Sequence, residues 1–206
     1  SDLLYQVDWI AAGDASASAS AARLPSPSDC TAAAETAFAA LAETNDLWRH
    51  HDELGAQLDH LTQLHIAQAL RSLGFDETLG RKFDIAAEGA RLGVADRHLR
   101  TFAKMIELLA DNGLCDRDGE VAATLIKPLP VEAADPLYPA LIERFDPASG
   151  ELRLLRRCGG ALAEALRDEV DPATLLFPNG SFEDARRLYD DAPSARTFNG
   201  TLAATL

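Results

Sequence analysis

The chain has 206 residues, 47% of them apolar and 25% charged, which suffices for one sizeable domain or two small ones around a real core. Its 19 basic and 33 acidic side chains give a net charge of -14, a surface that repels phosphate backbones and anionic headgroups, so neither nucleic acid nor membrane is expected as a partner. No run of eighteen apolar residues exists to span a bilayer and no basic leader precedes an apolar stretch. Cys30, Cys115 and Cys158 lie too far apart for a CxxC pair, so a reduced, cytoplasmic setting is expected.

In LLYQVDW, Tyr5, Val7 and Trp9 alternate with Gln6 and Asp8. That spacing predicts a strand within 1–10 belonging to a neighbouring domain, since a lone strand cannot satisfy its own edges; the alternative is an unpaired tail. Residues 11–30, rich in Ala and Ser with Pro25 and Pro27, read as a linker. A helix is expected over Thr31–Glu43 with Phe38 and Leu41 inward. A long one follows over Asp46–Leu73, with Leu54, Leu58, Leu61, Leu64 and Leu70 on one broad face and Gly74 as its stop. His50 and His51 point different ways because they are adjacent. His60 and His65, five apart, fall on different faces and read as ordinary partly exposed side chains. No metal site is expected.

A winged-helix-like section is expected over about 75–124. Asp84 caps a short helix ending near Gly93, and Asp96 caps a second one carrying Leu99, Phe102, Ile106 and Leu109. Asp118-Gly119 then suits a tight hairpin turn. Arg97, Arg100 and Lys104 on the second helix would suit DNA phosphates, as in a winged-helix regulator. The net charge and an acidic wing of Asp116, Asp118 and Glu120 favour a packing module instead.

Asp135-Pro136 starts a helix that ends near Phe145. Glu151–Glu169 reads as an amphipathic helix with Leu152, Leu155, Leu162 and Leu166 inward, interrupted by Cys158, Gly159 and Gly160, small enough to admit a close neighbour. Asp171-Pro172 opens a short helix, Pro178 ends it, and Asn179-Gly180 turns the chain. Ser181 and Asp184 have capping-box spacing, and Ser194 is expected to cap the last helix.

Between residues 154 and 202 an ordered set of small motifs stands out. It runs Arg157-Cys158-Gly159, Asp171-Pro172, Leu175-Leu176-Phe177-Pro178, Gly180-Ser181, Leu188-Tyr189, Pro193, Ala195-Arg196 and Asn199. In order and spacing it resembles the segment leading into the catalytic core of C-methyltransferase domains of modular polyketide synthases. LLYQVDW is similar to the strand that opens the ketoreductase-linked region of such synthases. The resemblance implies a mainly α fold: a helical lid over 31–206 with a winged-helix-like section and one small β-hairpin, beside an isolated N-terminal strand. It implies S-adenosylmethionine as cofactor, with an acyl carrier protein and neighbouring synthase domains as partners. In that family a doubly wound sheet with a glycine-rich turn holds the cofactor, and this sequence has no G-x-G-x-x-G pattern. The chain alone is therefore expected to be inactive and to cover and position the substrate. A non-catalytic structural module remains the alternative.

Phe177, Tyr189, Phe198 and Asn199 are the candidate pocket-lining residues, because aromatic walls suit both an acyl chain and a sulfonium. Phe177 and Phe198 read first as plain core, and Tyr189 and Asn199 equally as structural hydrogen-bonders. Arg196 is placed to pair with Asp190 or Asp191. Arg156 and Arg157 would attract an acidic carrier or simply form a solvated helix face.

Overall fold

The computed structural model describes residues 25–145 and 149–205. The strand expected within 1–10 and most of the linker expected over 11–30 lie outside these residues. The fold is mainly α with one small antiparallel sheet.

Helix α1 (Pro27–Thr44) starts at Pro27 rather than Thr31, so the last part of the expected linker is helical. The reason is local. Ser26 accepts from the Asp29 amide while Asp29 accepts from the Ser26 amide, a closed capping box with proline in the first turn.

The long helix expected over Asp46–Leu73 is broken into α2 (Leu47–Arg49), a π-helical turn at His50–Leu54, and α3 (Gly55–Leu73). A π turn fits an extra residue into one turn and so rotates the residues before it relative to α3. Gly74 ends α3 at φ 81°, a left-handed conformation that suits glycine.

Next come β1 (Lys82–Asp84), α4 (Ile85–Arg91), α5 (Leu99–Asp111), β2 (Cys115–Asp118) and β3 (Ala122–Leu125). The expected hairpin is thus part of a three-stranded sheet in the order β1-β3-β2, with Phe83 opposite Ala123 and Asp116 opposite Thr124. Asp84 caps α4 through the Ala87 amide at 2.8 Å. Asp96 does not cap α5; it opens a 3-10 turn that leads into it. Glu88 on α4 is 6% exposed. The Arg91 and Arg81 guanidiniums beside it, at 2.6 and 2.8 Å, pull its carboxyl down from 4.5 to about 2.

Two apolar cores share α3. The first joins its C-terminal half, including Ile66, Leu70 and Leu73, to Phe83, Phe102, Ile106, Leu109 and Leu125. The second joins Leu54, Leu61 and Leu64 to Tyr138 and Phe145 at the two ends of α6 (Tyr138–Arg144) and to Leu152 of α7 (Ser149–Gly160).

The single helix expected over Glu151–Glu169 breaks at Ala161, where φ is -108° and ψ 20°, and resumes as α8 (Leu162–Leu166). Gly159 admits a close neighbour as expected, and that neighbour is the His65 ring. A Cβ on the glycine would lie 2.9 Å from the ring Nδ1 and would overlap the ring carbons. His65 is consequently buried, at 4% exposure, rather than partly exposed. Its Nε2 lies 2.8 Å from the Tyr138 hydroxyl, and burial holds its pKa below the usual histidine value.

After α9 (Pro172–Leu176), capped by Asp171, the chain turns through Pro178–Gly180 into α10 (Glu183–Arg186), a second π turn at Arg187–Asp191, and α11 (Pro193–Thr205). The capping box expected at Ser181 does not close, because Asp184 pairs with Arg157 at 2.8 Å instead. Helix α11 opens on Pro193 rather than Ser194. It packs along α1, so the first and last described helices lie side by side. Thr197 sits fully buried between them, accepting from Asn45 Nδ2 at 3.1 Å and donating to the Pro193 carbonyl at 2.8 Å. Among the described residues, no helix is long and apolar enough to cross a membrane.

Candidate functional site

The pairing of α1 with α11 places Phe38 and Phe198 together, and the π turn after α2 brings Trp48 to the same side. Phe38 is the hub. Its ring centre lies 6.2 Å from that of Trp48, edge-on, and 5.7 Å from that of Phe198. These rings form one wall of a groove of about 840 Å³ that also includes Leu54, Leu58, His50 and Glu151. Trp48 is 58% exposed and Phe198 59%, so two large aromatic faces meet solvent across the groove. Water disfavours such surface, which makes this groove the candidate binding site.

At the inner side, His50 Nε2 lies 3.3 Å from Glu151 Oε2, both side chains mostly buried. The Glu151 oxygen has no hydrogen-bond donor among the described residues. The chemistry on offer is binding chemistry: apolar walls, aromatic faces and a carboxylate suited to a positive centre. Burial pushes the Cys115 thiol up to about 11 and also raises that of Cys158, so neither is readied as a nucleophile. Among the described residues no group of three or more His, Cys, Asp and Glu side chains gathers to hold a metal ion.

The four residues singled out from sequence do not form one cluster. Phe198 lines the aromatic groove. Asn199 donates from Nδ2 to the Tyr189 carbonyl at 2.8 Å, which ties α11 to the second π turn and leaves the Tyr189 side chain 68% exposed. Phe177 instead pairs with Phe182, ring centres 4.9 Å apart, at the turn between α9 and α10. Trp48 is not among the four. Nothing in its local pattern marks it, because the contact that places it runs through Phe38 to a helix some 150 positions away.

Of the three basic residues expected on the second helix, Arg97 and Lys104 are paired with carboxylates. Arg97 donates to Asp168 at 2.7 Å, and Glu107 receives Lys104 at 2.6 Å and Arg117 at 3.6 Å. Arg157 is no solvated surface residue: it binds the Leu175 carbonyl and Asp184. Arg186, rather than Arg196, reaches Asp191, at 3.1 Å.

The sheet is antiparallel and three-stranded. Among the described residues no strand–glycine-rich turn–helix unit exists to seat an adenosyl cofactor. The residues present fit one side of such a ligand, through aromatic faces and a carboxylate, and not a complete site.

No protein-family model matches the chain. Over 102 residues it is 28% identical to 5-methylorsellinic acid synthase of Aspergillus terreus, covering 49% of this chain and 4% of that protein. Over 131 residues it is 27% identical to the non-reducing polyketide synthase nvfA of Aspergillus novofumigatus, covering 64% and 6%. Among solved structures it superposes on the CurJ carbon methyltransferase with a TM-score of 0.75 and 25% identity, over 86% of this chain and 48% of that one. The CMeT domain of the citrinin polyketide synthase gives a TM-score of 0.71 at 18% identity, over 86% and 47%. The DszA carbon methyltransferase gives 0.66 at 21%, over 88% and 43%. The chain therefore spans about half the length of the solved domains it matches and a small part of the curated synthases. The resemblance read from residues 154–202 holds: the structural neighbours are carbon methyltransferase domains and the sequence neighbours are polyketide synthases.

Proposed function

We propose that this chain is the substrate-covering and positioning part of a polyketide synthase C-methyltransferase. The reaction is methylation of the α-carbon of a β-ketoacyl thioester carried on an acyl carrier protein. The observation that carries the reading is the superposition of 86% of this chain on about half of the CurJ carbon methyltransferase. Exposed aromatic faces on the groove support it, since a covering element needs apolar surface left unburied until its counterpart arrives.

In this reading S-adenosylmethionine, when bound, supplies the methyl group, and residues outside this chain seat it. The chain's own contribution is exclusion of water and fixing of the acyl chain. Phe38, Trp48 and Phe198 offer a dry wall, which strengthens every charge interaction behind it and restricts the substrate to few orientations. Glu151, with His50 beside it, presents negative charge at the inner side of that wall and would favour a cation there over an anion. The Asn199–Tyr189 tie holds α11 against the second π turn and so fixes the angle at which Phe198 is presented.

Calorimetry tests the division of labour. S-adenosylmethionine titrated into this chain alone gives no binding in the micromolar range, while the chain extended through the other half of the domain binds it and methylates a β-ketoacyl thioester. Micromolar binding by the chain alone would show that the site lies here and would sink the reading. An extended protein that binds the cofactor but never methylates would point to a structural module.

A further inference from the structure

Outside the aromatic groove, α7 carries arginines at positions 153, 156 and 157, a spacing that puts all three on one face of the helix. Together with Asp135, Ile142 of α6 and Asp184 they line a second pocket, of about 420 Å³. Three guanidiniums against two carboxylates leave the lining with a charge of 3 - 2 = +1, in a chain whose total is -14.

The two carboxylates are already committed. Asp135 accepts from Arg156 Nε at 2.7 Å, and Asp184 from Arg157 Nη1 at 2.8 Å. They fix the arginines in place without using up their donors, since a guanidinium carries five N–H groups. Arg156 is held further by the Tyr138 ring, 5.6 Å below it. Arg157 keeps one buried nitrogen, Nη2, with no hydrogen-bond partner among the described residues. Arg153 is exposed and has no ion-pair or hydrogen-bond partner among them.

We propose that this pocket binds a phosphate ester, gripped by Arg153 and Arg156, with Arg157 as the fixed positive floor. Planar guanidiniums match the edges of a phosphate through paired N–H donors, and several converging on one small volume suit a tetrahedral oxyanion better than a lone carboxylate. The overall negative charge does not prevent this. At physiological salt the repulsion is screened beyond about 8 Å, so a single phosphate responds to the local +1, whereas a long nucleic acid would meet the acidic surface around it.

If the chain serves acyl thioesters on a carrier protein, as proposed above, the phosphate is the diester joining the carrier to its pantetheine arm. That identification rests on the methyltransferase reading; the phosphate site does not.

The test uses the whole 206-residue chain and the ¹H–¹⁵N signals of the arginine Nε–H groups at low salt. Pantetheine 4′-phosphate and inorganic phosphate should each shift the Arg153 and Arg156 signals, while pantetheine without its phosphate leaves them in place. Arg153→Gln removes a side chain with no internal partner among the described residues, so it should fold normally by circular dichroism and bind pantetheine 4′-phosphate about ten-fold more weakly. No shift with either phosphate, an equal shift with pantetheine, or unchanged binding by the folded Arg153→Gln protein would each overturn the proposal. Phosphate binding in a chain whose extended form does not methylate would keep the site and discard the function.

Discussion

The His65 ring lies so close over Gly159 that a methyl group on the glycine would overlap it. Two effects compete when Gly159 becomes alanine. Helix propensity gains about 1 kcal/mol, and overpacking costs about 1–3 kcal/mol. The clash should win here, because His65 is 4% exposed and bonded to Tyr138 at 2.8 Å, with little room to retreat. Gly159→Ala is therefore expected to lower stability by up to about 2 kcal/mol in urea unfolding at neutral pH. In a His65→Ala background the sign should reverse, with Gly159→Ala now raising stability by up to about 1 kcal/mol. Equal effects in both backgrounds would refute the contact. This residue pair also marks a limit of sequence reading. The small residues at 158–160 signal a close approach, but not that its partner sits more than ninety positions earlier. Nor does helical spacing on α3 show that His65 is buried, since the burial comes from α7.

Elements whose signals are local are legible in the sequence. Asp84 and Asp171 cap the helices they precede, Gly74 ends α3, and Gly119 turns the hairpin at φ 67°. Each depends only on residues within one turn. The failures are those where a distant residue competes. Asp184 forgoes the capping box at Ser181 for Arg157. Strand β1 has three residues and too short an alternation to notice, and it exists because β3 lies beside it. The π turn at His50–Leu54 leaves the apolar spacing of the long helix almost intact, so periodicity reads straight through it. The pairing of α1 and α11 is equally non-local, and Thr197 is its polar rivet. Thr197→Val keeps the shape but leaves Asn45 Nδ2 without its acceptor, at an expected cost of about 1–2 kcal/mol. Hydrogen exchange should show faster amides in α11 with those of α5 unchanged. Uniform acceleration in both would mean that the two helices are not held by this contact.

At the scale of the molecule, the family resemblance is readable from an ordered set of small motifs, whereas the aromatic groove is not. Phe198 is visible as a candidate; its partners Phe38 and Trp48 come together with it only through folding. The groove they make separates two kinds of cost. Trp48 and Phe198 are more than half exposed, so replacing both by alanine should change the stability of this chain by no more than about 1 kcal/mol. If the groove closes over substrate, the same rings become buried in the working enzyme, and each is then worth about 1.5–3 kcal/mol. The paired loss, about 3 kcal/mol or more, corresponds to a fall of at least about 100-fold in kcat/KM for methylation by the extended domain. The ratio of the two effects is the diagnostic quantity. Thermal unfolding of the isolated chain gives the first and thioester methylation the second. A large loss of activity with little change in stability places the rings against the substrate or its cofactor. Parallel losses in both would reduce them to core side chains, and unchanged methylation would remove the groove from the function altogether.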